Sequence, residues 1–152
     1  MSLLKKSKKE QKEEIDAAKK KLYEVSHKYI RDRDCKDGKG HCIDCNKEVG
    51  AKWIQCGHFI PDHSGQILLR YHPHNMWGQF SGCNLKFAQE RVKINYTLAM
   101  IDKFGRAYVD SLVKMVDAGR AVKVDLSFYE TMITLYEEGD EGKIINYLNN
   151  YK

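Results

Sequence analysis

No window of this chain approaches the ~18 consecutive apolar residues that a membrane helix needs, so a spanning helix is excluded. The opening stretch MSLLKKSKKEQKEE lacks the apolar core of a signal peptide, and the expected location is the cytoplasm where the chain is made. Apart from the basic run at the start there is no internal repeat and no long low-complexity segment, so a repeat architecture is not expected. Cysteine is scarce and odd in number, five in all, which excludes a fully paired disulfide framework. In a reducing compartment, closely spaced cysteines point to a metal before they point to a staple.

What is present fits one domain. The 152 residues, 42% of them apolar, can supply a single core, here with a charged N-terminal extension. Lys and Arg exceed Asp and Glu by 26 to 21, a net charge of +5 that suits a polyanionic partner. From Ser7 to Asp32, Ile15, Leu22, Val25 and Tyr29 recur at helical spacing beside a charged face, which predicts one long helix. CKDGKGHCIDCNKEVG, Cys35 to Gly50, is rich in Gly, Asp and Asn and reads as a loop that needs something to hold it.

AKWIQCGHF and QILLRY, separated by IPDHSG, read as a β-hairpin with His58 near the end of its first strand. After HPHN the chain is expected to turn helical from about Met76, giving a ββα unit. Leu98, Ile101, Phe104, Val109, Leu112, Val113 and Val116 supply apolar faces, with stops at Gly105 and Gly119. Asp125 is a candidate N-cap for a further helix through Phe128, Met132, Leu135 and Tyr136. The acidic EEGDEG and the tyrosine-rich end read as part of a core-forming bundle or a dimer surface.

Cys42-Ile43-Asp44-Cys45 has the spacing at which two thiolates reach one tetrahedral zinc. Cys83 opens CNLK at an expected helix start and is a third candidate. The fourth ligand stays open between Cys56 and Cys35, with His41 and His72 behind them. Metal binding would order the loop, because binding energy becomes folding energy. Arg31, Arg33 and Arg70 are candidate phosphate contacts, and Trp53, Trp77 and Phe80 are candidates to stack on splayed bases.

GHFIP, then HN, then CNLK resembles the HNH or ββα-metal nuclease motif. More specifically, YIRDRDC, CIDC, QCGHFIP, LLRY, QFSGCN and YTLAMIDKFG occur in the order and spacing of the NinG/Rap family of phage recombination nucleases, over about Tyr29 to Gly105. The resemblance implies a structure-selective endodeoxyribonuclease cutting branched DNA such as Holliday junctions. The Cys-Asn pair at positions 83 and 84 is also similar to that of phage endonuclease VII, in which this asparagine binds the catalytic metal.

On that resemblance the fold is α+β and mostly helical, with a zinc-stabilised HNH-like core over residues 34–90, a basic helix over 1–33 and a helical region over 91–152. His58 would be the general base, Asn75 would orient it and the hairpin loop, and Asn84 would bind a catalytic magnesium or manganese ion beside a structural zinc. The cytoplasm would then be that of a bacterial host. Twofold symmetry, hence a homodimer, is expected of a resolvase that serves two strands. Three positions depart from the family pattern: Gly57 precedes the base where many such motifs have Asp or His, Trp77 stands for a histidine, and Phe80 stands for a zinc cysteine. Asp62, His63, His72 and His74 are close enough in sequence to compensate, and Asp62 is counted among the metal candidates. The alternative is a zinc-stabilised module that binds junctions without cutting them.

Overall fold

The computed structural model describes residues 6–61, 66–86, 90–119 and 122–151; Asp62 and His63 lie outside these. The architecture is α+β and mostly helical, with seven helices and two small antiparallel sheets among the described residues. No helix there is long and apolar enough to cross a membrane.

Helix α1 spans Lys8–Asp34. Its start is fixed by a capping box: Ser7 Oγ accepts from the Glu10 N–H at 3.2 Å, and the Glu10 carboxylate accepts from the Ser7 N–H at 2.7 Å. Leu22, Ser26 and Ile30 follow at four-residue intervals, so all three fall on one face, and all are fully buried. That face packs on helix α6, Leu126–Glu138, through Phe128, Tyr129, Met132 and Tyr136. Burying each such side chain is worth about 1.5–3 kcal/mol, so α1 belongs to the core and is no appendage.

The loop expected between residues 35 and 50 folds into a three-stranded sheet: β1 Cys35–Lys36, β2 Lys39–His41 and β3 Glu48–Gly50. Asp37 and Gly38 take the β1–β2 turn at φ 52° and 73°, a conformation that Gly and Asp tolerate. Strand β4, Ile54–His58, then pairs with β5, Met76–Phe80, in the register Ile54 to Phe80 through His58 to Met76.

This corrects the expected hairpin. The partner of β4 is Met76–Phe80, expected as helix, while Ile67–Arg70 of QILLRY forms the short helix α2. Leu68 and Leu69 are both buried, and adjacent inward residues suit a helical turn between packed layers better than a strand of period two. Helix α3, Ser81–Leu85, follows β5 directly, and α2 lies between the two strands.

Helices α4, Glu90–Phe104, and α5, Arg106–Gly119, form a second core with α2 through Leu69, Tyr96, Met100, Val109 and Leu112. Gly105 separates them at φ 81°, where a side chain would strain the backbone. Leu98 and Val113, expected inside, face outward at 59% and 48% exposure because Tyr96 and Met100 define the inner face of α4. Asp125 caps α6 through the Phe128 N–H, Gly139 ends it at φ 73°, and α7 runs over Glu141–Asn150.

Candidate functional site

The cysteine knuckle is built by backbone first. Cys42 N–H donates to Lys47 O at 3.0 Å, Asn46 N–H to Cys42 O at 2.8 Å, and Asn46 takes a left-handed φ of 55° to close the turn. Ile43 N–H donates to Gly78 O at 2.9 Å, which pins the knuckle to β5. Cys83 arrives from α3, and the Sγ atoms of Cys42, Cys45 and Cys83 lie within 4.8 Å of one another. A tetrahedral ion with ~2.3 Å bonds sets its sulfurs about 3.8 Å apart, so these three cysteines can hold a metal ion such as zinc.

The neighbouring thiols shift one another's pKa in opposite directions. Burial raises Cys83, and contacts with Cys45 and Cys42 raise it further, to about 12. For Cys45 burial also acts upward, but the Lys47 backbone N–H and the neighbouring thiols outweigh it and hold its pKa below the ordinary value. An ion would displace these protons on binding.

None of the fourth-ligand candidates joins the group among the described residues. Cys56 sits in the α1-side core with Leu22, Ile30 and Met76, where burial pushes its thiol up to about 12; it behaves as a small apolar residue. Cys35 lies at the end of α1 with its sulfur over Gly40. His41 faces Asn46 O and Glu48, and buried His72, pushed down to about 4 chiefly by burial, accepts from the His74 N–H. Phe80, at the position three before Cys83, turns its ring into an apolar groove with Trp53, Gly82 and Leu85.

The second part of the site is at the far end of β4. Half-buried His58 places Nε2 2.9 Å from the Arg70 carbonyl. A carbonyl only accepts, so Nε2 carries the hydrogen and, in the neutral ring, Nδ1 carries the lone pair. Fully buried Asn75 works one residue away: its Nδ2 donates to Leu69 O and Ile60 O, both at 3.0 Å, and its Oδ1 accepts from the Ile60 N–H at 2.7 Å. His58 and Asn75 thus hold consecutive carbonyls at the end of α2, which fixes the segment leaving β4.

Asn84 donates through Nδ2 to Gln55 Oε1 at 2.9 Å, which directs its Oδ1, a ligand suited to hard cations, away from that bond. It lines a cavity of about 530 Å³ together with Gln55, Lys52, Tyr23, Glu24, His27 and Arg31. The His27 ring centroid is 3.8 Å from that of Tyr23 and 5.9 Å from that of His58. Glu24 and His27 were not singled out in the sequence. The available signal was their spacing, since positions 24, 27 and 31 share one face of α1.

The three candidate arginines have different surroundings. Arg31 is exposed at the cavity. Arg70 lies with its guanidinium carbon 5.7 Å from the Tyr71 ring. Arg33 is spent inside the fold: its donors make five hydrogen bonds, to Asp34 twice and to Glu141, Pro73 O and Met76 O, and it lies 3.9 Å from the Trp77 ring. No N–H of Arg33 is left for a phosphate, and Trp77, with Lys103 also 4.6 Å from its ring, is covered on the same account. Of the aromatic candidates, Trp53 is the open one, at 53% exposure.

Fold and site together define a mostly helical α+β protein in which three thiols converge beside a two-stranded sheet and its following helix. The model of the Bacteriophage Lambda NinG protein family matches residues 2–134, and the chain belongs to that family. No curated protein and no solved structure matches it.

Proposed function

We propose that the protein is a metal-dependent endodeoxyribonuclease that cuts branched DNA, such as Holliday junctions in phage recombination, with β4, β5 and α3 as an HNH-like ββα-metal core and zinc at the three cysteines. The observation that carries this reading is the bond from His58 Nε2–H to the Arg70 carbonyl. It sets the tautomer in which Nδ1 accepts a proton, the role a general base needs near neutral pH. Membership of the NinG family supports the phage setting.

A magnesium or manganese ion at Asn84 would neutralise charge on the phosphate and the leaving oxygen. His58 takes the proton from the attacking water at Nδ1. Asn75 holds the segment after β4 so that the imidazole keeps its aim, and Arg31 contacts a phosphate at the cavity rim. A homodimer would present two such sites to two strands.

The test is cleavage of a four-way junction, a flap and a linear duplex with magnesium or manganese. His58→Ala should lower cleavage about 10²- to 10⁴-fold while leaving junction binding within about twofold. Unchanged cleavage by this variant removes His58 from the mechanism. The second reading, a junction-binding module that does not cut, is favoured by Gly57 and Phe80, where a metal-side and a zinc-side ligand are missing. It predicts salt-dependent binding by the wild type and no nicking with any divalent ion.

A further inference from the structure

Asn84 by itself gives a cation one protein ligand, and hard divalent ions take six or more. The strand beside it offers little. Gln55 is already bonded to Asn84, and position 57 carries no side chain and is crowded by its neighbour: a Cβ on Gly57 would stand 1.9 Å from Oε1 and 2.9 Å from Cβ of the fully buried Gln79. Further donors must come from the other wall of the cavity, which is α1. There Glu24 and His27, three residues apart, line the same cavity as Asn84, and the His27 ring centroid lies 3.8 Å from that of Tyr23 and 5.9 Å from that of His58. A six-coordinate ion with water-sized ligands fills roughly 200 Å³, so a cavity of about 530 Å³ has room for it and a phosphate.

We infer that His27 and Glu24 of α1 bind the divalent cation opposite Asn84, so that the site is assembled between α1 and α3. The inference rests on the nuclease reading for the ion at Asn84, and on the shared cavity for the two ligands from α1. An imidazole among oxygen donors moves preference along the divalent series away from magnesium, so this site takes manganese in preference to magnesium. The thiolates, being soft, do not compete for either ion.

The experiment is a manganese titration of the full-length, zinc-loaded protein without DNA, followed by loss of the electron paramagnetic resonance signal of free Mn²⁺. The wild type should bind one Mn²⁺ per chain, displaced by Mg²⁺ only in large excess. His27→Ala and Glu24→Gln should each weaken binding at least about 10-fold. His27→Asn, which keeps a polar oxygen in place, should recover part of the loss, with unchanged circular dichroism and zinc content as the check on folding. Variants that bind Mn²⁺ as tightly as the wild type overturn the inference, as does a wild type that takes up no Mn²⁺. Manganese binding that depends on His27 in a protein that cuts no DNA supports the inference and removes the nuclease reading alone. Cleavage by the wild type with manganese affinity unmoved in His27→Ala overturns the inference alone.

Discussion

The helical side and the knuckle side of this protein are held by different means. Between α1 and α6 the contacts are large apolar side chains at zero or near-zero exposure, Leu22, Ile30, Phe128 and Met132 among them. Between residues 35 and 50 the strands are two or three residues long, the turns use left-handed backbone at Asp37, Gly38 and Asn46, and few apolar side chains are buried. A shape-filled core is insensitive to ions, whereas a loop closed by three thiols depends on what those thiols bind. Binding chemistry is therefore concentrated where the chain has least packing of its own.

The strongest way to break this contrast is to take one thiol from the knuckle. A zinc ion held at the knuckle would add its binding energy to the fold of the loop it orders, so Cys42→Ser should abolish zinc retention and speed amide exchange over residues 39–50 by at least roughly 100-fold. The α1–α6 amides should stay protected. Equal deprotection of both regions, read by hydrogen exchange with mass spectrometry, would mean that the two are one cooperative unit.

Leu22→Ala acts on the other side. It opens a cavity in the fully buried layer and should cost about 3 kcal/mol in denaturant unfolding, with zinc affinity unchanged.

Glu141 at the start of α7 ties α1 to the turn before β5, since its carboxylate takes Arg33 at 3.2 Å and His74 at 3.0 Å. The hydrogen bond from His74, against burial and with help from Arg33, lowers its pKa from 4.5 to about 2. A lowered carboxyl pKa stabilises the fold fully above the unfolded value, and that contribution is lost as pH falls from about 4.5 toward 2. Glu141→Gln should cost about 2 kcal/mol at pH 7 and flatten the acid limb of the stability profile between those values. An unchanged acid limb would show that this clasp on the helical side carries no charge-dependent stability. The smallest effect is expected at Asp125→Ala, about 1 kcal/mol from the lost cap of α6, with no change at the knuckle.

How much of this was legible followed the range of the interactions. Ser7, Asp125 and Gly105 mark helix ends through bonds to neighbours in sequence, and all three stand where the spacing placed them. The Cys42 and Cys45 pair was legible for the same reason, and the CNLK start brought in Cys83. MWGQF was misread because its strand character comes from β4 alongside it: Gly78 pairs with Cys56 and takes Asp34 through its N–H at 2.7 Å. QILLRY carried an apolar run that serves strand and helix alike. Arg33 looked like a surface cation, and only the meeting of α1 with β5 and α7 makes it an internal clamp. His27 and Glu24 stand 30 or more positions from the motif they face, beyond any local pattern.

The closed space over Gly57 also constrains the history open to this chain. An acidic residue there would require the fully buried Gln79 to give way, because Gln79 occupies the volume it would need. Shortening Gln79 first would leave a void in the sheet and a bonding partner of Asp44 missing. A side chain at position 57 therefore calls for a paired exchange with position 79, so the glycine is held in place by its neighbour.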